Sequence, residues 1–284
     1  MKAHAAAAAG AAIHPTAQVA PGAVLGAGVT VGPWCVVGPY VRLGAGVRLH
    51  SAVVVEGHTI LEDGVEVYPF CTIGLPPQDL KYADEPTSCV VGARTVLREG
   101  VTIHRGTGPG GGTHVGADCL LMVHAHVAHD CRLGDGVIIV NNVVMGGHVV
   151  IGDGARIMGS AALHQFVRVG AGAVVGGLCG VERDVIPYGS VLGNRARLAG
   201  LNWVGLKRAG VPDEEVRLMR RAFRALYPRP TKVGNKGAGP VLRERLPAVR
   251  AAYGHHPRIA EMLDFMEAPS KRGLTSPDRL CDEG

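Results

Sequence analysis

Histidines crowd one part of this chain: His104, His124, His126, His129, His148 and His164. Imidazole is the side chain best suited to moving protons near neutral pH, and it is also a common metal ligand. His129 is followed directly by Asp130, so a carboxylate is available to orient a general base. Gly146-Gly147 follows, with Gly147 eighteen residues beyond His129, and a backbone N–H at such a turn can stabilise an oxyanion. His129 and His148 are nineteen residues apart, His164 lies sixteen further on, and Asn141-Asn142 is nearby. The spacing predicts that these three histidines line one edge of a coiled structure. Two chemistries fit. In one, His129 takes a proton from an attacking hydroxyl. In the other, His124 and His129 with a third histidine such as His104 bind zinc. Neighbouring carboxamides, Lys81 and two polar loops suit an extended substrate and favour the first. Cys131 could be a nucleophile, but its place in the repeat points inward and assigns it to packing.

The elements that position these residues follow from a period of six. Counting in sixes from Ile13 to Val181, 26 of 29 positions are aliphatic, and only Asp79, Glu85 and Pro109 break the series. Neither a helix nor a hairpin has this period, whereas a parallel β-helix of hexapeptides does. Four positions after each aliphatic residue stands a small or β-branched one, as in Ala23, Val29, Cys35, Val41 and Cys71. A narrow coil leaves little room at its corners, so this slot is a packing demand. Three hexads make one coil, and residues eighteen apart stack at the spacing of neighbouring strands. The fold expected is an all-β parallel β-helix of triangular coils with a C-terminal α-helical domain.

Three regions follow: a disordered extension at 1–12, the β-helix at 13–192 and a helical domain at 193–284. Two segments leave the hexad pattern, 75–90 and the glycine-rich 106–114, and loops on a rigid scaffold are where function concentrates. Beyond the repeat, helical runs are expected from Asn202 to Ala209, after Pro212-Asp213, over Val241–Tyr253 and over Pro257–Met266, with the last dozen residues frayed.

Composition sets the surroundings. Six of the seven cysteines fall in the small-residue slot, which suits compact hydrophobes in a reducing compartment. The alanine-rich start lacks the features of a signal peptide and no stretch reads as a membrane span, so a cytoplasmic protein without stable membrane insertion is expected. The net charge of +5 hides an asymmetry: 195–284 carries 18 of the 29 Lys/Arg and 10 of the 24 Asp/Glu. A basic tail suits an acidic partner or phosphate groups. Nucleic acid is not expected, because no aromatic residues interleave the basic run.

The strings HPTAQVAPGA, QDLKYADEPT, VTIHRGT, LLMVHAHVAHDC, NNVVMGGH, ALHQF, GGLCGVERDVIPY and NWVGLKRAG resemble, in order, those of the acyl-carrier-protein–UDP-N-acetylglucosamine O-acyltransferases. These enzymes perform the first step of lipid A biosynthesis. The resemblance covers nearly the whole chain. It implies transfer of an (R)-3-hydroxyacyl chain from acyl-carrier protein to the glucosamine 3-hydroxyl of UDP-N-acetylglucosamine. It also implies an all-β left-handed parallel β-helix assembled as a homotrimer, with each site between neighbouring subunits; no metal or bound cofactor is implied. His129 then matches the base, Asp130 its orienting partner and Gly147 the oxyanion donor, with His148 beside it. Gln78, Asp79 and Lys81 match residues of the first loop that hold sugar and acyl group. His126, His164, Gln165, Asn202 and Arg208 match further substrate contacts, and Gly177 the position that sets acyl-chain length, with Met145 and Met158 expected near the same groove. Three residues depart from the family pattern at the nucleotide end: Arg195 replaces a histidine, Val204 an acidic residue and Ala209 an arginine. A related acyltransferase using a 3-amino sugar nucleotide, or a zinc carbonic anhydrase-like hexapeptide protein, are the alternatives.

Overall fold

In a computed structural model, which describes residues 6–7, 10–228 and 241–277, short parallel strands stack into three sheets of nine, eleven and nine strands. Each full coil contributes one strand to each sheet, and strand partners are eighteen residues apart where no loop intervenes, as in His126 with Val144 and Arg132 with Val150; the last coil is shorter, with Val174 paired to Ser190 sixteen residues on. Most strands are two residues long, the first facing outward and the second buried. The period of six therefore reports one inward aliphatic side chain per face. Leu25, Leu61, Ile73, Leu97, Ile103, Leu121, Ile139 and Ile151 form the axis of the prism, each contributing about 1.5–3 kcal/mol by leaving water. The small-residue slot is equally buried, and Cys35, Cys71, Cys89, Cys119, Cys131 and Cys179 are free thiols within it. Burial pushes the Cys131 thiol up to about 12, which removes it as a nucleophile.

The ladder begins earlier than expected. Ala6–Ala7 pairs with Val24–Leu25 and Ala12–Ile13 with Thr30–Val31, so part of the supposed extension belongs to the coil; 1–5 and 8–9 lie outside the described residues. It also ends later. Gly189–Leu192 pairs antiparallel with Arg197–Leu201, which reverses the chain and directs it into the helices.

Among the described residues four helices follow: α1 (Trp203–Arg208), α2 (Asp213–Leu226), α3 (Leu242–Tyr253) and α4 (Pro257–Glu267). Asn202 caps α1 by accepting from the Gly205 N–H. Asp213, Glu214 and Glu215 open α2 at the end where its dipole favours negative charge. Val216, Met219, Ala222 and Leu226 bury one face of α2. No helix among the described residues is long and apolar enough to cross a membrane.

The tail is not frayed as far as it is described. Gly273 O accepts from Asp184 N and Thr275 N donates to Asp184 O, both at 2.8 Å. The Asp184 carboxylate, fully buried, pairs with Arg168 at 2.7 Å, and the Arg168 guanidinium lies 4.4 Å over the Phe265 ring. The last coil and the helical domain are thereby clamped together.

Candidate active site

Both departures from the hexad leave the same edge. Segment 76–87 runs from Thr72–Leu75 of the third sheet to Ser88–Val91 of the first, and 105–111 from Thr102–His104 to Gly112–Val115. On the next coil the same edge, between His126–Val127 and Arg132–Leu133, carries His129 and Asp130.

The dyad is built as the sequence suggested. His129 Nδ1 lies 2.9 Å from Asp130 Oδ2, which leaves Nε2 as the nitrogen facing away. Asp130 adopts φ 58°, a left-handed conformation that aspartate tolerates better than most residues. Its carboxylate also accepts from the Thr107 hydroxyl at 2.6 Å and the Thr107 N–H at 3.1 Å, and its own N–H donates to Thr113 Oγ1 at 2.9 Å. Burial pushes the Asp130 carboxyl upward, but the Thr107 bonds and the His129 contact outweigh it and hold the carboxyl below the ordinary carboxylate range. Thr107 had no periodic signal to reveal it. It comes from the glycine-rich excursion, where a side chain at Gly106 would meet the Asp130 carboxylate at 2.7 Å. The glycines let this loop fold onto the dyad, and Gly108 N ties it to Glu85 of the first loop at 2.7 Å. Arg105 Nε donates to the Tyr82 hydroxyl at 2.9 Å, a second tie between the excursions.

One coil on, Gly147 lies under the His129 ring: a Cβ there would sit 2.5 Å from Nε2. At three turns between the first and second sheets the corresponding N–H is capped by a carboxylate, Ala45 by Asp63, Ala117 by Asp135 and Asp135 by Asp153. The Gly147 N–H has no such partner among the described residues, so a donor remains beside the histidine.

The edge column differs from expectation at its third member. His148 stacks on Phe166 at 4.6 Å with planes 8° apart, and meets His129 edge-on at 5.2 Å. Stacking follows the step of eighteen, so the columns are Asp130–His148–Phe166 and His129–Gly147–Gln165. His164, sixteen beyond His148, falls out of register and instead contacts Arg272, whose Nε also donates to Gln165 O at 2.9 Å. Burial lowers the affinity of His148 for a proton, and His129 and Lys271 act in the same direction, against Asp130 and Asp79. Asp79 of the first loop thus lies within electrostatic reach of the site; its Oδ1 accepts from Lys81 N at 2.9 Å, while the Gln78 and Lys81 side chains are exposed.

His126 Nδ1 lies 2.7 Å from Thr102 Oγ1 and its ring meets His104 edge-on at 4.9 Å. His104 is buried with Nδ1 unpartnered, and burial followed by the neighbouring histidines lowers its pKa to about 4.

The zinc set His104–His124–His129 is not assembled. His124 belongs to a different edge, at φ 59° and packed against Gly100. Among the described residues the group that could hold an ion is His129, Asp130 and His148, with ligand atoms within 4.8 Å. There the Asp130 oxygen nearest both rings already accepts from Thr107 and His129, the pattern of a hydrogen-bonded dyad.

Three expected site residues stand apart. Asn202 spends both ends of its amide on structure, capping α1 and donating to Gly172 O at 3.0 Å. Arg208 is exposed in the last turn of α1. Gly177 lies exposed between the second and third sheets, with only Gly159 O near its absent Cβ, at 3.3 Å. Met145 points into the core and cannot line a groove there, whereas Met158 is exposed.

The C-terminal region, residues 184–275, matches the family model described as Udp N-acetylglucosamine O-acyltransferase, domain 2. Residues 112–147, which include the dyad, match the bacterial transferase hexapeptide model. An acyl-[acyl-carrier-protein]–UDP-N-acetylglucosamine O-acyltransferase from Agrobacterium fabrum is 42% identical over 273 residues, covering 96% of this chain and 98% of the relative. The chain belongs to this acyltransferase family. The Caulobacter vibrioides member is 46% identical over 268 residues, covering 94% of this chain and 98% of its own. The solved UDP-N-acetylglucosamine acyltransferase from Campylobacter jejuni superposes with a TM-score of 0.85 at 30% identity, covering 94% of this chain and 100% of its own. The coil is accordingly the family's left-handed parallel β-helix.

Proposed function

We propose that this chain moves an (R)-3-hydroxyacyl group from acyl-carrier protein to the 3-hydroxyl of UDP-N-acetylglucosamine, with His129 as general base. The observation that carries the reading is the Thr107–Asp130–His129 relay beside the free Gly147 N–H. Asp130 fixes Nδ1 as the protonated nitrogen, so Nε2 is the base. It takes the proton of the sugar hydroxyl as that oxygen attacks the thioester carbonyl. The Gly147 N–H stabilises the resulting oxyanion, where a preorganised donor is most effective. Collapse expels the pantetheine thiolate, which recovers the proton from His129. Atoms balance without metal or bound cofactor, since the acyl donor arrives activated on its carrier.

Asp79 and Lys81 of the first loop hold sugar and acyl group in this reading, with Gln78 beside them. His126, His148, His164 and Gln165 extend the edge as substrate contacts. Arg208 lies towards the nucleotide, on the helix that Asn202 caps, and acts in a homotrimer in which neighbouring prisms share each site. The basic tail, with Arg220, Arg221 and Arg224 on α2, steers the acidic carrier protein. The protein works in the cytoplasm.

The test is product identification. Purified protein with 3-hydroxyacyl carrier protein and UDP-N-acetylglucosamine should form the 3-O-acyl sugar nucleotide at a rate unaffected by chelator. Turnover only of a 3-amino sugar nucleotide would revise the acceptor, to which the departures at Arg195, Val204 and Ala209 are relevant. Stoichiometric zinc, with activity abolished by chelation, would overturn the mechanism.

A further inference from the structure

The column that begins with Asp130 does not end at the prism. Above Asp130 come His148 and then Phe166, whose ring is stacked on the imidazole at 4.6 Å. On the Phe166 face sits the Lys271 ammonium, 4.0 Å from the centroid. Lys271 belongs to no hexad: it comes from the segment that follows α4, more than a hundred residues beyond Phe166 in sequence.

That segment is built in as a strap across the last coils. Ser270 Oγ accepts from the N–H groups of Arg272 and Gly273 at 3.0 and 2.8 Å, which shapes the turn carrying Lys271. Leu274 bridges in parallel to Asp184, the Thr275 hydroxyl donates to Arg183 O at 3.1 Å, and Leu198 N donates to Ser276 O at 3.0 Å. Beside Lys271, Arg272 holds the Gln165 carbonyl and the His164 ring. Both basic side chains thus seat on the outermost rung of the columns that carry the dyad.

We infer that Lys271 is a positioning residue for the active site, acting through Phe166 to hold the His148 ring against the His129–Asp130 dyad. The inference rests on the proposed role of this edge. A cation prefers the face of an aromatic ring, and the ring it pins is the platform for His148. Without that pin, the Phe166 side chain is free to leave its stack, and His148, at 3.8 Å from Asp130 Oδ2, loses its upper wall. The groups that face His148 are Asp130, His129 and Phe166 on the prism, Asp79 on the first loop and Lys271 on the strap. Of these, Lys271 is the one supplied by the C-terminal segment.

The experiment is a double-mutant cycle on the full-length protein with His148 titration as an independent readout. Lys271→Met keeps the aliphatic stem and removes the charge; it should lower kcat about 2- to 5-fold, the range a surface cation–π contact supports, with KM for the sugar nucleotide little changed. In NMR the His148 titration midpoint should move up, because a neighbouring positive charge has gone. Lys271→Arg should restore both. In a Phe166→Leu background, Lys271→Met should have no further effect on kcat, since the ring through which it acts is absent. An unmoved His148 midpoint in folded Lys271→Met protein overturns the inference, as does an undiminished effect of that substitution in the Phe166→Leu background. Because the titration needs no turnover, this failure is distinct from failure of the acyltransferase reading, which would show as full activity without His129.

Discussion

Replacing Thr107 with valine removes one hydroxyl and leaves the side-chain shape almost unchanged, which makes it a sharp probe of the dyad. The lost bond, 2.6 Å to Asp130 Oδ2, is a hydrogen bond to a charged acceptor in a site where the Asp130 side chain is 12% exposed. Such bonds contribute about 1.5–3 kcal/mol. The Thr107 N–H and His129 contacts survive the substitution, so the lower end applies, and ~1.5 kcal/mol is roughly a tenfold loss. It should appear in kcat, because Thr107 orients the base through Asp130. The same bond helps depress the Asp130 carboxyl. A depressed carboxylate contributes stability that is present above its unfolded pKa of about 3.9 and is lost as pH falls through its folded value. Thr107→Val raises that folded value, reduces the contribution and moves the acid-unfolding midpoint to higher pH. The assay is steady-state turnover of acylated carrier protein and UDP-N-acetylglucosamine, alongside acid unfolding followed by circular dichroism. Thr107→Ser should behave as wild type in both. Unchanged kcat and an unchanged acid midpoint in Thr107→Val would refute the claim that this loop tunes the dyad.

Gly147→Ala should lower kcat by about 10²-fold, the cost of displacing a reacting group by an ångström, because its Cβ overlaps the His129 ring; wild-type kinetics would show that the ring does not need this position. His104, lowered to about 4 in the fold, should make stability fall as pH drops from about 6.5, its unfolded value, towards 4. The folded state resists a proton that the unfolded chain accepts, an effect of up to ~3 kcal/mol. Denaturant midpoints at pH 5 and 7.5 test this, and His104→Asn should narrow the gap between them. Gly177→Met should shift donor preference from longer 3-hydroxyacyl chains (about twelve to fourteen carbons) to shorter ones, each methylene left unburied costing ~0.8 kcal/mol; an unchanged chain-length profile would remove Gly177 from the account.

The inward residues of the coil were legible because a strand has only two faces and a prism only one inside. A period of six is therefore visible in residue type alone. The His129–Asp130 pair was legible for a similar reason, since adjacent residues at a turn need no knowledge of tertiary contacts. Register was less forgiving. His164 is two residues short of the column that holds His148, and that shift exchanges it for Phe166. The zinc set failed on the same arithmetic, because five residues of sequence carry His124 to another edge from His129. Thr107, Lys271 and Arg272 could not be found by period at all. Their contacts join loop or tail to the prism across 23, 105 and 107–108 residues, and polar residues in irregular segments carry no face preference to read. Asn202 illustrates the opposite case: its amide is committed to capping α1 and to Gly172, a structural duty that a motif match alone does not reveal.

The central claim is that His129 Nε2 removes the proton of the acceptor hydroxyl. It is tested most directly by the turnover of His129→Ala with acylated carrier protein and UDP-N-acetylglucosamine, in protein whose assembly and unfolding midpoint match the wild type. A positioned general base contributes about 10²–10⁴-fold, and the account predicts a loss of at least that size. Turnover within a few-fold of wild type would contradict it.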